Sequence, residues 1–553
     1  MQRSSILLTT LLIFISNLAT AQLAGGYTID ATQAASATNY QTFSSAISDL
    51  ISGTRADGGT PNGNGVSASV NFQVANGTYT EQLEITSITG TSNSNNIVFE
   101  SVSGDSSLVK IEFSPAFASN YVVNLNGTSF ITFKKLTIEN TKATNCTVIE
   151  IEGNTSDINI SNCHILGQPS TSSSSNYSII KSTGDANHNI SITNNHIENG
   201  SKGIEFIGGS STDEINLVIS NNLIESYYYR GIVAYNQESP LIEKNTLIGT
   251  SSATLCKAID IRYVSGGMVI DANRISGNHN IILELEDIAS TTSNHTVLKN
   301  NFFQSDTEIS YGIAFENGNN SYIDLIHNSI YVENTSSNKY AVRIENGTNN
   351  ITFLNNIIFI EDGYTIYNQS GTSITASDNN NLHTNGGGFS YSGTTHNTLA
   401  AWQTGTSFDA NSISADPLFT SSTDLHLTNG SPCIAAGVSS TVTVDIDGNT
   451  RNATPDIGAH EYQLSTGISN VNKFSKTTLY PNPAANQVKI LLGDNKTNTI
   501  LNIVIIDVFG RIVLSEQTNN NALDITALEN GNYFVQLHFI NGDVEVQKLM
   551  IMK

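Results

Sequence analysis

The chain has 553 residues with 48 acidic and 24 basic side chains, a formal net charge of −24, yet only 13% of it is charged. That balance excludes binding to a nucleic-acid backbone, which it would repel. Sparse charge with abundant β-branched and turn residues points to an elongated all-β protein, and four scattered cysteines (Cys146, Cys163, Cys256, Cys433) make neither a disulfide framework nor a metal site and read as buried thiols.

Residues 1–21, MQRSSILLTTLLIFISNLATA, join one arginine to an apolar run and a small-x-small end at Ala19-Thr20-Ala21. This is the pattern of a secretory signal peptide, so the mature chain is expected to start at Gln22. No other stretch has the length and apolarity of a transmembrane segment. In the segment 22–65, TFSSAISDLI places Phe43, Ala46, Ile47 and Leu50 at helical spacing. A short amphipathic helix there is expected to cap the open end of the stack that follows.

From residue 66 to 397 one pattern recurs: Asn195-His196-Ile197, Asn222-Leu223-Ile224, Asn245-Thr246-Leu247, Asn273-Arg274-Ile275, Asn301-Phe302-Phe303, Asn328-Ser329-Ile330, Asn356-Ile357-Ile358 and Asn380-Asn381-Leu382. Cys163-His164-Ile165 and Leu136-Thr137-Ile138 extend it upstream, at intervals of 23 to 32 residues. A period of that length means a stacked architecture. Within each unit a second strand carries apolar residues two apart, such as Ile204 and Phe206 or Ile259 and Ile261. Several short strands per repeat give a right-handed parallel β-helix, its coils about 4.8 Å apart. An asparagine at the same bend of every coil passes amide hydrogen bonds to its neighbours above and below, a structural rather than catalytic use. PSTSSSSNYS, residues 169–178, reads as a loop leaving one coil.

If Ile259 and Ile261 face inward, Asp260 and Arg262 face outward. The same positions on other coils are Glu205 and Ile207, Val233 and Tyr235, Glu284 and Glu286, Ala314 and Glu316, and Arg343 and Glu345, with Glu150 and Glu152 earlier. One face thus collects many of the scarce charges, and a flat strand face suits an extended polysaccharide. Asp260 and Glu284 on adjacent coils stand about 4.8 Å apart, Glu205 and Asp260 at roughly twice that. Those separations match retaining and inverting glycosidases. Arg262 or Arg343 beside a carboxylate base would instead suit a lyase acting on a uronate. The expected catalytic set is Asp260, Arg262 and Glu284, with Glu205, Tyr235, Glu286, Glu316, Arg343 and Glu345 as substrate contacts. The same carboxylates are also of the kind that gather calcium, although no dedicated metal ligands are assigned. Against this stands a plainer reading, surface cross-strand pairs each contributing about 0.2–1 kcal/mol. Tyr311, Tyr340 and Tyr364 align as a column suited to stacking sugars or to filling a corner. DIDGN, residues 445–449, resembles a calcium turn but lacks the full twelve-residue loop and reads as an Asp-Gly turn. YYYR at 227–230 reads as a loop aromatic patch or as corner packing, and His164 and His196 as outward stacking. The architecture resembles that of pectate-lyase-like and chondroitinase-B-like lyases, without a run matching their Lys and Arg catalytic motifs.

At residue 398 the texture changes to TLAAWQTGTSFDANSISADPLF, followed by DLHLTNGSPCIAAG and DIDGNTRNATPDIGAHEY. This string, residues 398–465, resembles the end segment of secreted choice-of-anchor Q β-helix proteins and implies closing coils, with Trp402 packing inside them. From TTLYPNPAANQVKI through IIDVFGRIV and LDITALENGNYFVQL to VEVQKLMIMK, residues 466–553 resemble a type A sorting domain of the type IX secretion system of Bacteroidota. Its alternating strands and turn dipeptides independently read as a small β-sandwich. The resemblance implies export by that machinery, giving a secreted or outer-membrane-surface protein, expected as a monomer. The function expected is polysaccharide binding along the outer strand face. A polysaccharide lyase or glycosidase, and a structural surface protein or adhesin, remain as alternatives.

Overall fold

The structure, a computed structural model, describes residues 22–184, 186–250, 255–305, 311–333, 337–463, 477–491, 500–507, 511–516, 522–539 and 544–553. The expected signal peptide, residues 1–21, and the first residues of the expected sorting domain, 466–476, lie outside the described residues. Two compact units divide at Tyr462/Gln463.

The first unit is the expected parallel β-helix. Twelve parallel strands, from Gly77–Thr80 to Asn381–Thr384, form one face. Two further faces merge into one sheet, because Arg230–Glu238, Lys257–Ser265 and Ile281–Ala289 run through the corner between them. Inward residues alternate as the period-two pattern requires: Ile204, Phe206, Ile232, Ile259, Ile261, Leu283, Leu285, Ile313, Phe315, Val342 and Ile344 are all fully buried. Phe72, Phe99 and Phe133 stack on successive coils at 4.8 and 5.3 Å. Each such side chain contributes roughly 1.5–3 kcal/mol through burial.

The helix Phe43–Ser52 closes the N-terminal end. Thr42 caps it by accepting the Ser45 N–H, and Gly53 ends it in the left-handed region at φ +64°, where a side chain would be strained. Its apolar stripe of Phe43, Ala46, Ile47 and Leu50 is buried on the stack.

The asparagine ladder forms as expected. Asn222 Oδ1 accepts both the backbone N–H (3.0 Å) and the Nδ2 (3.1 Å) of Asn195, while Asn222 Nδ2 donates to Ile192 O and to Asn245 Oδ1. The same bonds repeat through Asn273, Asn301, Asn328 and Asn356 to Asn380, every rung buried. Cys163 continues it one coil earlier by donating its N–H to Asn195 Oδ1 at 2.9 Å. The residue before each rung lies in the left-handed region, φ 53–57° at Asn162, Asn194, Asn221, Lys244, Ala272, Asn300, His327, Asn355 and Asn379. This explains the paired asparagines of the sequence: the first of each pair takes a conformation asparagine tolerates, and the second is the rung.

The segment expected as closing coils behaves differently. The helix Leu399–Thr406 buries Trp402, whose Nε1 donates to Asp409. Asp409 and Ser412 accept from the last rung, Asn380, at 3.0 and 2.7 Å, so the ladder ends on groups that need no further coil. Residues 414–462 then leave the stack axis and form a flap on the twelve-stranded face. Leu425, Leu427, Cys433, Ile446, Ile457 and Ala459 of the flap cover Ala272, Phe302, Tyr331, Ile357 and Phe359. Outward apolar residues on those coils require a cover, which further coils would not have supplied.

The second unit pairs a three-stranded antiparallel sheet (Thr478–Tyr480, Gln487–Leu491, Ala522–Asp524) with a four-stranded one (Ile512–Glu516, Ile500–Asp507, Gly531–Phe539, Val544–Ile551). Their inner faces share one core that includes Val488, Ile490, Ile503, Ile505, Val535 and Leu549, a small sandwich as expected.

Candidate functional site: the charged outer face

The strand register places the predicted site residues on one outer face, in the order read from the sequence. Glu205, Val233, Asp260, Glu284, Ala314 and Arg343 form one column, and Ile207, Tyr235, Arg262, Glu286 and Glu316 the next. The expected column of Tyr311, Tyr340 and Tyr364 forms, and it continues through Ile281 into three cations not expected there, Lys257, Arg230 and Lys202. Their signal was the repeated basic residue three places before an outward position, as in Lys202/Glu205 and Lys257/Asp260.

That third column changes the chemistry. Asp260 receives Arg230 Nε at 2.8 Å, Lys257 Nζ at 3.3 Å and Arg262 Nε at 2.9 Å. Arg262 reaches on to Glu284 (2.8 Å) and Glu286 (2.6 Å), while Lys257 also pairs with Glu284. Glu205 pairs with Lys202 and accepts from Ser178 and, across the 169–178 loop, from Ser175. The plainer reading of a solvated surface ladder therefore fails on burial: Asp260 and Glu205 are 0% exposed, Glu284 5% and Glu286 6%. Tyr229 and Tyr235 lie against Arg230 and Arg262 at 3.7 and 5.2 Å from ring centre to guanidinium. Burial alone would raise the Asp260 carboxyl, but the Arg262 hydrogen bond and the charges of Lys257, Arg230 and Arg262 outweigh it and hold the group at about 2. The three expected catalytic residues thus meet, with Arg262 bridging both acids, in a closed network of ion pairs.

The face opens toward its C-terminal end. Tyr311 and Tyr340 stack at 5.8 Å with planes 10° apart, Tyr340 meets Tyr364 at 5.8 Å and Tyr367 at 4.3 Å, and Tyr367 stacks on Tyr391 at 4.5 Å. Tyr367 and Tyr391 continue the column of Arg343 and were not singled out from the sequence. All five rings are partly exposed. Beside them Arg343 joins Glu316 and Glu345, all about one-fifth exposed, and lies 4.8 Å from the Tyr311 ring. Burial raises the Glu316 carboxyl above its ordinary range, with Arg343 pulling the other way. Among the described residues, the turns at 239–240 and 317–320 that border the face are short.

Other motifs resolve plainly. Asp445 Oδ1 accepts from Asp447 N and Asn449 N, closing DIDGN on itself as a turn. Tyr227 is fully buried and bonds His279. All four cysteines are buried free thiols, with burial pushing Cys163, Cys256 and Cys433 up to about 12.

No curated protein matches the sequence. Solved structures similar to it include a pectin methylesterase from Aspergillus niger (12% identity, covering 62% of this chain and 86% of that one, TM-score 0.27). Others are a DFA-IIIase from Arthrobacter chlorophenolicus A6 (13%, 78% and 99%, 0.32) and a surface adhesin of Streptococcus pneumoniae (14%, 58% and 84%, 0.26). Residues 478–552 match the family described as the secretion system C-terminal sorting domain, so the chain carries a type IX export tail directing it to the cell surface or beyond.

Proposed function

We propose that this exported β-helix binds polysaccharide along the open, C-terminal half of its charged face. The observation that carries the reading is the run Tyr311, Tyr340, Tyr364, Tyr367 and Tyr391, partly exposed rings rising coil by coil beside Arg343. Sugar rings present apolar faces that stack on aromatic side chains, and Arg343 with Glu316 and Glu345 supplies directional hydrogen bonds. In this reading Glu205, Asp260, Arg262, Glu284 and Glu286 are the rigid base of the face, with Tyr235 at its edge. The short described turns after Glu238 and Glu316 support binding over cleavage. We take the chain as a Bacteroidota protein whose residues 66–397 are the β-helix and 398–465 its choice-of-anchor Q-like closure.

The test is migration of the full chain through gels containing uronate or neutral polysaccharides, with and without calcium, beside assays for unsaturated uronate and new reducing ends. Retardation without new ends, lost in Tyr340→Ala and Tyr367→Ala, supports the reading. Unsaturated product would make the protein a lyase, and reducing ends alone a hydrolase. Unretarded migration in every polymer would leave a structural surface protein.

A further inference from the structure

Among the described residues, the flap's apolar cluster covers the twelve-stranded face from the coil of Ala272 onward. The earlier coils of that face hold a second constellation, which the glycan reading does not use. His164 and His196 occupy the same register position on adjacent coils, and Glu198 and Glu225 the position two residues on, displaced by one coil. The two imidazole rings stack at 4.6 Å with planes 7° apart. His164 Nε2 lies 3.4 Å from Glu198 Oε2, and His196 Nε2 lies 2.7 Å from Glu225 Oε1. The ligand atoms of His164, His196 and Glu198 all fall within 4.8 Å of one another. All four side chains are about one-third exposed, so ions in solution reach them.

We propose that His164, His196 and Glu198 bind a divalent transition ion of the zinc type. Two imidazoles and one carboxylate are the donor set such an ion takes, and a tetrahedral site with bonds near 2.0–2.1 Å has ligand-to-ligand edges of about 3.4 Å. The His164–Glu198 separation already has that value, and the third donor, on His196, lies within 4.8 Å of both. The donors sit on hydrogen-bonded strands rather than on loops, so their backbones are fixed in place. The neighbouring cation of this face, Lys110, is held by Glu112 and Glu139 at 2.8 and 3.0 Å and does not compete for Glu198. Three protein ligands leave a fourth position for water. Calcium, which prefers six to eight oxygens, is a poor match.

A second grouping, His426, Asp447 and His460, is already committed internally. His426 Nε2 meets Asp447 at 3.0 Å and its Nδ1 meets Asp424, Arg274 holds Asp447 at 2.5 Å, and His460 Nδ1 accepts the Leu427 N–H at 3.1 Å. It serves as the control.

The experiment is equilibrium dialysis of the untagged full chain against zinc chloride, with calcium chloride as competitor, for the wild type and for His196→Ala, Glu198→Gln and His426→Ala. One zinc per chain is expected in the wild type and in His426→Ala, undisturbed by calcium, with at least tenfold weaker binding in His196→Ala and Glu198→Gln. Thermal melting in chelator shows whether each variant is folded; should His196→Ala unfold, Glu198→Gln alone decides. Absence of bound zinc, zinc retained in the folded variants of the site, or zinc lost only in His426→Ala overturns the proposal. None of these outcomes depends on polysaccharide binding.

Discussion

Two ladders of polar residues climb this β-helix, and they are built on opposite principles. The asparagine ladder repeats one residue at one bend, and each amide is both donor and acceptor, so every rung satisfies the next. The charged ladder has no repeating residue. A column of carboxylates cannot satisfy itself, so Asp260 and Glu284 depend on Arg230, Lys257 and Arg262 from the flanking columns, and Glu286 on Arg262 of the adjacent coil. A self-complementary group makes a one-dimensional structure; charge requires a two-dimensional one.

The sharpest way to break the comparison is to remove a rung from each ladder. Asp260→Ala strips three cations of a shared partner, and Arg230, 6% exposed, loses the only carboxylate it pairs with among the described residues. Breaking a buried ion pair from one side costs about 3–5 kcal/mol, so the largest fall in unfolding midpoint is expected here. Arg262→Ala, which bridges three carboxylates, is expected to melt early too. An unchanged midpoint in Arg262→Ala with lost product formation would instead restore the catalytic role read from the sequence.

Asn245→Ala is expected to cost somewhat less, about 1–3 kcal/mol, because it leaves the Asn222 N–H buried without its acceptor and takes one donor each from the Ile219 and Asn273 oxygens. The two outcomes also explain why one ladder was legible in the sequence and the other only half so. Asn195, Asn222 and Asn245 recur at a fixed place before an apolar residue, and identity at a period is visible in one dimension. The outward acids were visible by alternation, but their burial was not, because it depends on Lys202, Arg230 and Lys257 lying in an adjacent column of the folded sheet. The flap was hidden for a related reason: Phe302, Tyr331 and Phe359 look like extra apolar residues until something is found to cover them.

A smaller effect is expected where the bend departs from asparagine. His327 stands in the left-handed position that Asn300, Asn355 and Asn379 fill on other coils. Its Nδ1 donates to Gly458 O of the flap at 3.2 Å and its Nε2 accepts from Asn355 Nδ2 at 3.0 Å, which fixes the neutral ring. Burial, aided by the Arg451 charge, lowers this histidine to about 3. Because the folded value lies below the unfolded one of about 6.5, protons favour the unfolded chain. The contribution is intact above pH 6.5 and is lost progressively as pH falls toward 3. By pH 4 the loss is on the order of 1–3 kcal/mol. His327→Asn is expected to flatten the fall in melting temperature between pH 6.5 and 4 relative to the wild type, and an unchanged slope would assign that acid sensitivity to other groups.

The smallest change in stability is expected at the open end of the charged face, and there it separates support from recognition. Arg343 pairs with Glu316 and Glu345, but the three side chains are about one-fifth exposed, so water already screens them. Exposed pairs contribute about 0.2–1 kcal/mol, and Arg343→Ala should shift the melting temperature by a few degrees at most. If the tyrosine run and Arg343 form the glycan surface, the same substitution should weaken retardation in polysaccharide gels severalfold while Asp260→Asn, wherever it remains folded, leaves retardation unchanged. The reverse pattern, strong retardation in Arg343→Ala and none in folded Asp260→Asn, would move the binding surface into the buried network. The ions there would then have to part to admit a ligand, and the ladder would be a gate rather than a base.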